Sequence, residues 1–163
     1  FNFKKDFIIM VSIILYNPVI PPNTGNIMRL CSNVGFNLHL IKPLGFELDN
    51  KSLRRAKMDY FSNINPIIHE SLSDCLNLIG KENIIAISKF GKKKYIEAKF
   101  TKKSALLFGS EKTGLPEYIK KDFKDNLFSI PMIKGSRSLN LSNAAAIVAY
   151  ETWKNLEFCS FIY

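Results

Sequence analysis

The amino-acid sequence predicts an α/β fold in which a mostly parallel sheet carries helices on both faces. Short apolar runs alternate along the chain with segments of helical periodicity, which is typical of strand–helix–strand units. Polar loops that contain glycine follow several of the apolar runs, where a strand is expected to pass into a helix or loop. The length of 163 residues, with 47% hydrophobic and 23% charged side chains, fits one domain.

The predicted elements follow the hydrophobic pattern from the amino terminus onward. The run Ala105–Phe108, which ends in a glycine turn, has the pattern of a short strand buried on both faces. Gly35 is placed to end the first helix, and Ser71 is placed to cap the third. Strands are expected at about residues 8–16, 38–42, 84–88, 104–109 and 127–131, and helices at about residues 24–35, 50–59, 71–80, 116–121 and 141–156.

The last predicted helix departs from an amphipathic stripe, because its first half is apolar nearly all round. Such a helix must be covered on several sides, and in a domain of this size a second subunit is a natural source of that cover. We therefore expect a homodimer.

Three polar loops are expected to converge on one site. They are residues 23–26, 109–116 and 136–143, and each is rich in Asn, Ser, Thr or Gly. Ligands of open parallel sheets bind at the carboxyl ends of the strands, and the start of a helix offers free backbone donors. For any one of these loops, a solvated helix cap is the competing interpretation.

Cysteine and histidine usage argues against a metal site and against secretion. Cys31, Cys75 and Cys159 are an odd number, lie far apart and form no C-x-x-C pair, which favours a cytoplasmic protein with inert thiols. His39 and His69 are the two histidines, and their spacing is not that of metal ligands. We therefore expect no metal.

The amino-terminal residues 1–9 are interpreted as an upstream extension without function, because Met10 would make a natural start for the first strand. The apolar run Phe7–Tyr16 is too short to span a bilayer, and no small-residue cleavage site of a signal peptide follows it. A soluble protein without membrane contact is expected.

The net charge favours a polyanionic partner. The chain carries 23 Lys and Arg against 14 Asp and Glu, a formal charge of +9. Basic residues cluster within 51–57, 89–94 and 99–103, where contact with phosphates is their natural use. The alternative explanation of the lysine clusters is an AT-rich genome, whose codons favour lysine on any solvated surface. That alternative explains Arg54 and Arg55 less well.

Three motifs resemble those of the SPOUT RNA ribose methyltransferases. They are Asn23-x-Gly25-Asn26-x-x-Arg29; residues 108–116; and Ile130-Pro131-Met132 with residues 136–143. The resemblance covers residues 10 to about 157, so we assign 10–158 to one methyltransferase domain. Within that family, residues 15–26 and 53–60 resemble the branch of small enzymes that methylate the wobble ribose of tRNA.

This resemblance implies a fold that the hydrophobic pattern alone does not predict. In the family the carboxyl-terminal segment threads through a loop to form a deep trefoil knot, an exception to the general rule for protein chains. The knot binds S-adenosylmethionine in a bent shape, mainly through backbone groups. The cofactor-binding residues that the resemblance implies here are Ile87, Gly109, Ile130, Met132, Ser138 and Leu139.

The implied reaction transfers a methyl group to a ribose 2'-hydroxyl, which needs alignment and help in removing a proton. The resemblance points to Arg29, Asn23 and Tyr150 as catalytic residues. Because arginine stays protonated, Arg29 is best placed to bind a phosphate and to stabilise the developing oxyanion. Glu111 is expected to anchor the motif loops by accepting backbone hydrogen bonds. Tyr150, on an apolar helix, has a structural role in the core as its alternative.

The implied substrate is the anticodon stem-loop of leucine tRNAs, methylated at the wobble pyrimidine. Arg54, Arg55 and Arg137 are the expected phosphate contacts. The pair Lys112-Thr113 departs from the Thr-Arg that is frequent in the family, which affects fine RNA contacts. The alternatives are a methyltransferase for another tRNA or rRNA nucleotide and a non-catalytic RNA-binding protein; a dinucleotide-binding dehydrogenase would need a Gly-x-Gly-x-x-Gly turn that residues 23–26 lack.

Overall fold

The computed structural model describes residues 11–47 and 65–159, and within these ranges it shows an α/β fold. The described residues form four α-helices and seven strands. The strands are β1 (Ser12–Tyr16), β2 (Asn37–Ile41), β3 (Ile67–His69), β4 (Ile84–Ile87), β5 (Lys93–Lys94), β6 (Ala105–Phe108) and β7 (Leu127–Ser129). The helices are α1 (Pro21–Val34), α2 (Leu72–Ile79), α3 (Glu117–Asp122) and α4 (Leu141–Asn155).

The described strands form one sheet in the order β3-β2-β1-β6-β4-β7-β5. Every neighbouring pair is parallel, which confirms the predicted sheet type. The edge strands β3 and β5 have three and two residues and were missed, because neither stands out as an apolar run in the sequence. The predicted helix over residues 50–59 lies outside the described residues.

Alternate residues of the strands pack into two separate cores, one on each face of the sheet. Ile13 and Leu15 belong to the core beneath α1 and α4, whereas Ile14 between them belongs to the core beneath α2 and α3. Since successive side chains of a strand point to opposite faces, this division places helices on both sides. The prediction of helices on both faces is therefore confirmed.

Local signals explain where several helices begin and end. Gly35 ends α1 in the left-handed conformation with φ of 71°, as predicted. Ser71 and Asp74 form a capping box at the start of α2, again as predicted. Asn140 caps α4, because its side-chain oxygen accepts a hydrogen bond from the backbone amide of Ser142 at 2.8 Å.

The path of the carboxyl-terminal segment brings the site together. Strand β7 lies between β4 and β5, and after residues 130–140 the chain returns to pack α4 against α1. This path is consistent with the trefoil knot expected for the segment, and the knot itself stays a prediction. Among the described helices, none combines the length and the apolar character needed to cross a membrane.

Candidate functional site

The three predicted segments meet at the carboxyl ends of the central strands, although residues 23–26 form the first turns of α1 rather than a loop. Together with the turn after β4, they line a cavity of about 560 Å³. The start of α1 contributes Asn23, with Ile20 just before the helix; the second segment contributes residues 108–115; and the chain between β7 and α4 contributes residues from 130 to 144. The parallel sheet explains this meeting, since strands β4, β6 and β7 end side by side.

All six residues that the sequence resemblance marked for cofactor binding lie in the wall of this cavity. They are Ile87, Gly109, Ile130, Met132, Ser138 and Leu139. Ile87 is buried at the end of β4, whereas Ser138 and Leu139 are exposed on the loop before α4. Their contact with a cofactor stays a prediction, but the fold has brought them to one place from four separate segments.

A hydrogen-bond network centred on Glu111 joins the loops. Its Oε2 accepts from the amide of Val19 at 2.8 Å, and its Oε1 accepts from the amide of Ile20 and from Nδ2 of Asn23, both at 3.2 Å. Asn23 Oδ1 in turn accepts from Nδ2 of Asn140 at 3.0 Å. Because Asn140 also caps α4, this chain of contacts connects all three loops.

Both polar atoms of the Asn23 side chain are therefore hydrogen-bonded within the protein, and the residue is 5% exposed. In this position it holds the loops in register rather than presenting both polar atoms to a ligand. The anchoring role expected of Glu111 is present in the structure, with two backbone amides bound to its carboxylate.

The second loop folds back so tightly that its first position requires glycine. A Cβ on Gly109 would lie 2.2 Å from the carbonyl carbon of Gly114 and 2.2 Å from the amide nitrogen of Leu115. The turn is closed by a hydrogen bond of 2.8 Å from the amide of Gly114 to the carbonyl of Ser110. The backbone around Gly109 therefore forms a dense wall on one side of the cavity.

Three predicted functional residues lie outside the cavity wall of this single chain. Arg29 is exposed on α1. Arg137 is exposed on the loop before α4, next to the lining residue Ser138. Tyr150 is 46% exposed on α4 and packs edge-on against Trp153, with ring centroids 5.8 Å apart. Arg54 and Arg55 fall outside the described residues.

The cavity rim carries a residue that sequence reasoning did not single out. Phe90 lines the cavity together with Lys89 and Lys112, and it is 62% exposed. The available signal was an aromatic residue inside the lysine cluster 89–94, directly after a buried strand. Charge alone describes this cluster incompletely, because the exposed ring of Phe90 lies within it.

The fold also pairs two histidines that the sequence spacing kept apart. Strands β2 and β3 are neighbours, and Nδ1 of His39 lies 2.9 Å from Nε2 of His69. With Cys75 they form a buried group whose potential ligand atoms lie within 4.8 Å of one another. Spacing along the chain did not reveal this group, because β-pairing, not sequence proximity, creates it.

The chemistry of this group is that of a neutral core pair. Burial and the neighbouring His69 lower the pKa of His39 from 6.5 to about 4, so one ring donates to the other without charge. Burial raises the pKa of the Cys75 thiol to about 12, which disfavours the thiolate that binds metals. The expectation of no metal stays a prediction.

Comparison with known proteins identifies similar sequences over almost the whole chain. The profile of the SpoU rRNA Methylase family matches residues 10–150. A curated protein of Methylovorus glucosotrophus, named tRNA (cytidine(34)-2'-O)-methyltransferase, is 43% identical over 150 residues, which cover 91% of this chain and 97% of the relative.

Solved structures share the fold. One, described by the words "structural insights into the 2-OH methylation of C/U34 on tRNA", is 38% identical and superposes with a TM-score of 0.84, covering 91% of this chain and 97% of its own. The SpoU methyltransferase AviRb of Streptomyces viridochromogenes, crystallised with the cofactor AdoMet, superposes with a TM-score of 0.78 at 22% identity. It covers 96% of this chain and 60% of its own, and at that identity it shows the shared fold alone.

Proposed function

Because this chain belongs to the SpoU rRNA methylase family, we propose that it transfers a methyl group from S-adenosylmethionine to the ribose 2'-hydroxyl of tRNA nucleotide 34. The observation that carries the proposal is the convergence of the three motif loops on one cavity, joined by the Glu111 network. The names of the Methylovorus relative and of the C/U34 structure support the nucleotide and its position.

The cavity fits S-adenosylmethionine in size and in lining. Its volume of about 560 Å³ falls within the range of small-molecule pockets. Buried apolar walls from Ile87, Phe108 and Leu115 suit an adenine ring, and serine hydroxyls and loop backbone suit its polar edges. When bound, the cofactor supplies a methyl carbon on a sulfonium, an electrophile whose departure leaves a neutral thioether.

The protein's own contribution is positioning and charge. The Glu111–Asn23–Asn140 network fixes the loops before the reactants arrive, so little ordering remains to be done at the moment of reaction. Arg29 supplies a permanent positive charge for the phosphate next to the target ribose and for the developing oxyanion. Since Arg29 does not line the cavity of its own chain, the RNA or a second subunit must bring this charge and the ribose together.

We propose that the second subunit is another copy of this chain. Two neighbouring segments carry exposed apolar side chains. Ile147 and Tyr150, three positions apart on one side of α4, are 37% and 46% exposed, although Ala145, Val148 and Ala149 of the same helix are buried. Ile133, on the loop before α4, is 85% exposed. Met132 and Leu139 on that loop are 38% and 40% exposed, and both line the cavity. A homodimer that covers these side chains would place a partner beside each cofactor site.

The finer expectations rest on the sequence resemblance. They are leucine isoacceptors as substrates, Arg54, Arg55 and Arg137 as phosphate contacts, Tyr150 as a catalytic residue, and the cytoplasm as location. The net charge of +9 supports a nucleic-acid substrate without selecting among tRNAs.

The decisive test is methyl transfer from labelled S-adenosylmethionine to total small RNA, followed by nucleoside analysis of purified tRNAs. We expect a 2'-O-methylated pyrimidine at the wobble position of leucine tRNAs. Label at another ribose, in tRNA or rRNA, would retain the family chemistry and reject the wobble assignment. RNA binding without selective binding of S-adenosylmethionine and without any label would reject the catalytic proposal and favour a non-catalytic RNA-binding protein.

A further inference from the structure

Phe90 is presented on a short turn that the sheet holds in place. The amide of Ser88 donates to the carbonyl of Phe128 at 2.9 Å, and the amide of Gly91 donates back to the carbonyl of Ser88 at 3.0 Å. A Cβ on Gly91 would lie 2.3 Å from the carbonyl carbon of Phe128, so the turn packs directly on β7. The ring is therefore displayed by a supported backbone rather than by a free loop.

The surroundings of the ring are cationic. The Nζ atom of Lys120 lies 4.4 Å from the Phe90 ring centroid, and the Nζ atom of Lys89 lies 5.2 Å from it. Lys112, like Lys89 and Phe90, lines the cavity and adds a further positive charge to its wall. With these neighbours in place, Phe90 still keeps 62% of its surface exposed.

The acidic groups near this rim are already engaged. Glu111 is the acidic residue among the described residues that line the cavity, and its carboxylate is bound to Val19, Ile20 and Asn23. Glu117 forms an ion pair of 2.7 Å with Lys120. Lys89 and Lys112 form no ion pair with any described residue, so the rim presents a net positive charge.

From this arrangement we propose that Phe90 is a stacking platform for an unpaired base of the RNA substrate next to the target nucleotide, with Lys89 and Lys112 binding the adjoining phosphates. The inference rests on the proposed function. The ammonium groups of Lys120 and Lys89 now lie over the exposed ring, so a base that stacks on it takes the place of one of them, which can turn to the phosphate of the same nucleotide. The ring and its ammonium groups do not suit the cofactor, whose sulfonium is itself cationic and whose apolar walls, Ile87 and Phe108, lie deeper and are buried.

Substitutions at Phe90 test the platform on folded protein, because the side chain is largely exposed. We expect Phe90→Ala and Phe90→Leu to raise KM for a synthetic anticodon stem-loop about 5- to 150-fold, the range for loss of one stacked base. The value of kcat and the Kd for S-adenosylhomocysteine should change less than twofold. Phe90→Tyr, which keeps a ring, should stay near wild type, as should the control Leu78→Ala, an exposed apolar residue outside the cavity lining.

Equilibrium binding separates stacking from charge and does not depend on methyl transfer. Phe90→Ala should weaken binding of the stem-loop but not of an RNA duplex of equal length, since the bases of a duplex are stacked on each other. Lys89→Ala and Lys112→Ala should each weaken the binding of both RNAs. Each should also reduce the slope of the logarithm of the binding constant against the logarithm of salt concentration by about one.

Three results would overturn the platform. One is an equal effect of Phe90→Ala on stem-loop and duplex. Another is unchanged RNA binding in Phe90→Ala and Phe90→Leu. The third is a rise in the Kd for S-adenosylhomocysteine with unchanged KM for RNA, which would make Phe90 a cover for the cofactor. If wild-type protein methylates no nucleotide 34, the proposed function fails, yet the stem-loop and duplex comparison still decides the platform.

Discussion

Replacing Glu111 by glutamine should loosen the motif loops without changing the size of the side chain. The carboxylate accepts three hydrogen bonds, from the amides of Val19 and Ile20 and from Nδ2 of Asn23. Glutamine has one acceptor oxygen and one NH₂ group. In either orientation, the NH₂ group of glutamine faces at least one N–H group. Both groups are donors, so no hydrogen bond can form between them.

The distances give the expected magnitude. If the amide oxygen of glutamine takes the place of Oε1, it keeps the two contacts of 3.2 Å, each weaker by about 1 kcal/mol because the acceptor is no longer charged. The amide of Val19, now 2.8 Å from a donor, loses its partner at a cost of about 1 kcal/mol. Partial access of water reduces the sum of these losses. We therefore expect the free energy of unfolding to fall by about 2 kcal/mol.

Urea unfolding followed by circular dichroism measures this change. A loss of about 2 kcal/mol corresponds to a midpoint lower by about 1 M urea, with the slope unchanged. The Kd for S-adenosylhomocysteine should rise as well, because the cavity walls are the loops that Glu111 joins. The matched control is Glu70→Gln, which breaks an exposed ion pair with Lys42 and should cost less than about 0.5 kcal/mol. A Glu111→Gln midpoint no lower than that of the control would refute the reasoning.

Three further predictions concern the reaction, the cavity and the paired histidines. Arg29→Ala should abolish methyl transfer while leaving S-adenosylhomocysteine binding intact in calorimetry; full activity would remove Arg29 from the mechanism. Gly109→Ala, whose Cβ would meet backbone at 2.2 Å, should weaken binding of the same ligand at least tenfold. Gly35→Ala, whose Cβ meets nothing within 4 Å but whose φ of 71° strains an alanine, should lower stability and leave ligand binding unchanged. Because the folded state lowers the pKa of His39 from 6.5 to about 4, the unfolded chain binds the extra proton between these values, so stability is complete above pH 6.5 and falls on acidification. By pH 5 the loss from His39 should be about 2 kcal/mol. Urea midpoints should therefore fall less steeply with pH in His39→Gln than in wild type, although burial also lowers the pKa of the remaining His69; equal pH dependence would contradict the assignment.

Much of the fold was accessible to sequence reasoning because strong local signals agreed with the tertiary structure. The run Ala105–Phe108 is β6, and the glycine at 35 ends α1 as predicted. Strands β3 and β5 were missed because edge strands of two or three residues are formed by pairing with neighbours, which leaves little mark on local periodicity. The same reason applies to His39 and His69, which parallel pairing of β2 and β3 brings together.

The candidate site divides in the same way. The sequence resemblance located the residues of the cavity wall, since Gly109, Ile130 and Ser138 lie in motifs that can be recognised along the chain. It did not locate Phe90, which belongs to no motif and acquires its setting from Lys120, thirty positions away, whose Nζ lies 4.4 Å from the ring.

The sequence by itself determined the α/β class, the helices on both faces of the sheet, the positive charge that favours RNA, and the three polar segments that line the cavity. Each of these depends on composition or on short-range order, which the chain carries whether or not it is folded. Only the tertiary structure decided that Glu111 binds Asn23 and that Asn23 binds Asn140, because residues 88 and 117 positions apart meet only after the parallel strands align. It also decided which side of α4 stays exposed, since Ile147 differs from the buried Val148 not in polarity but in what the rest of the fold covers.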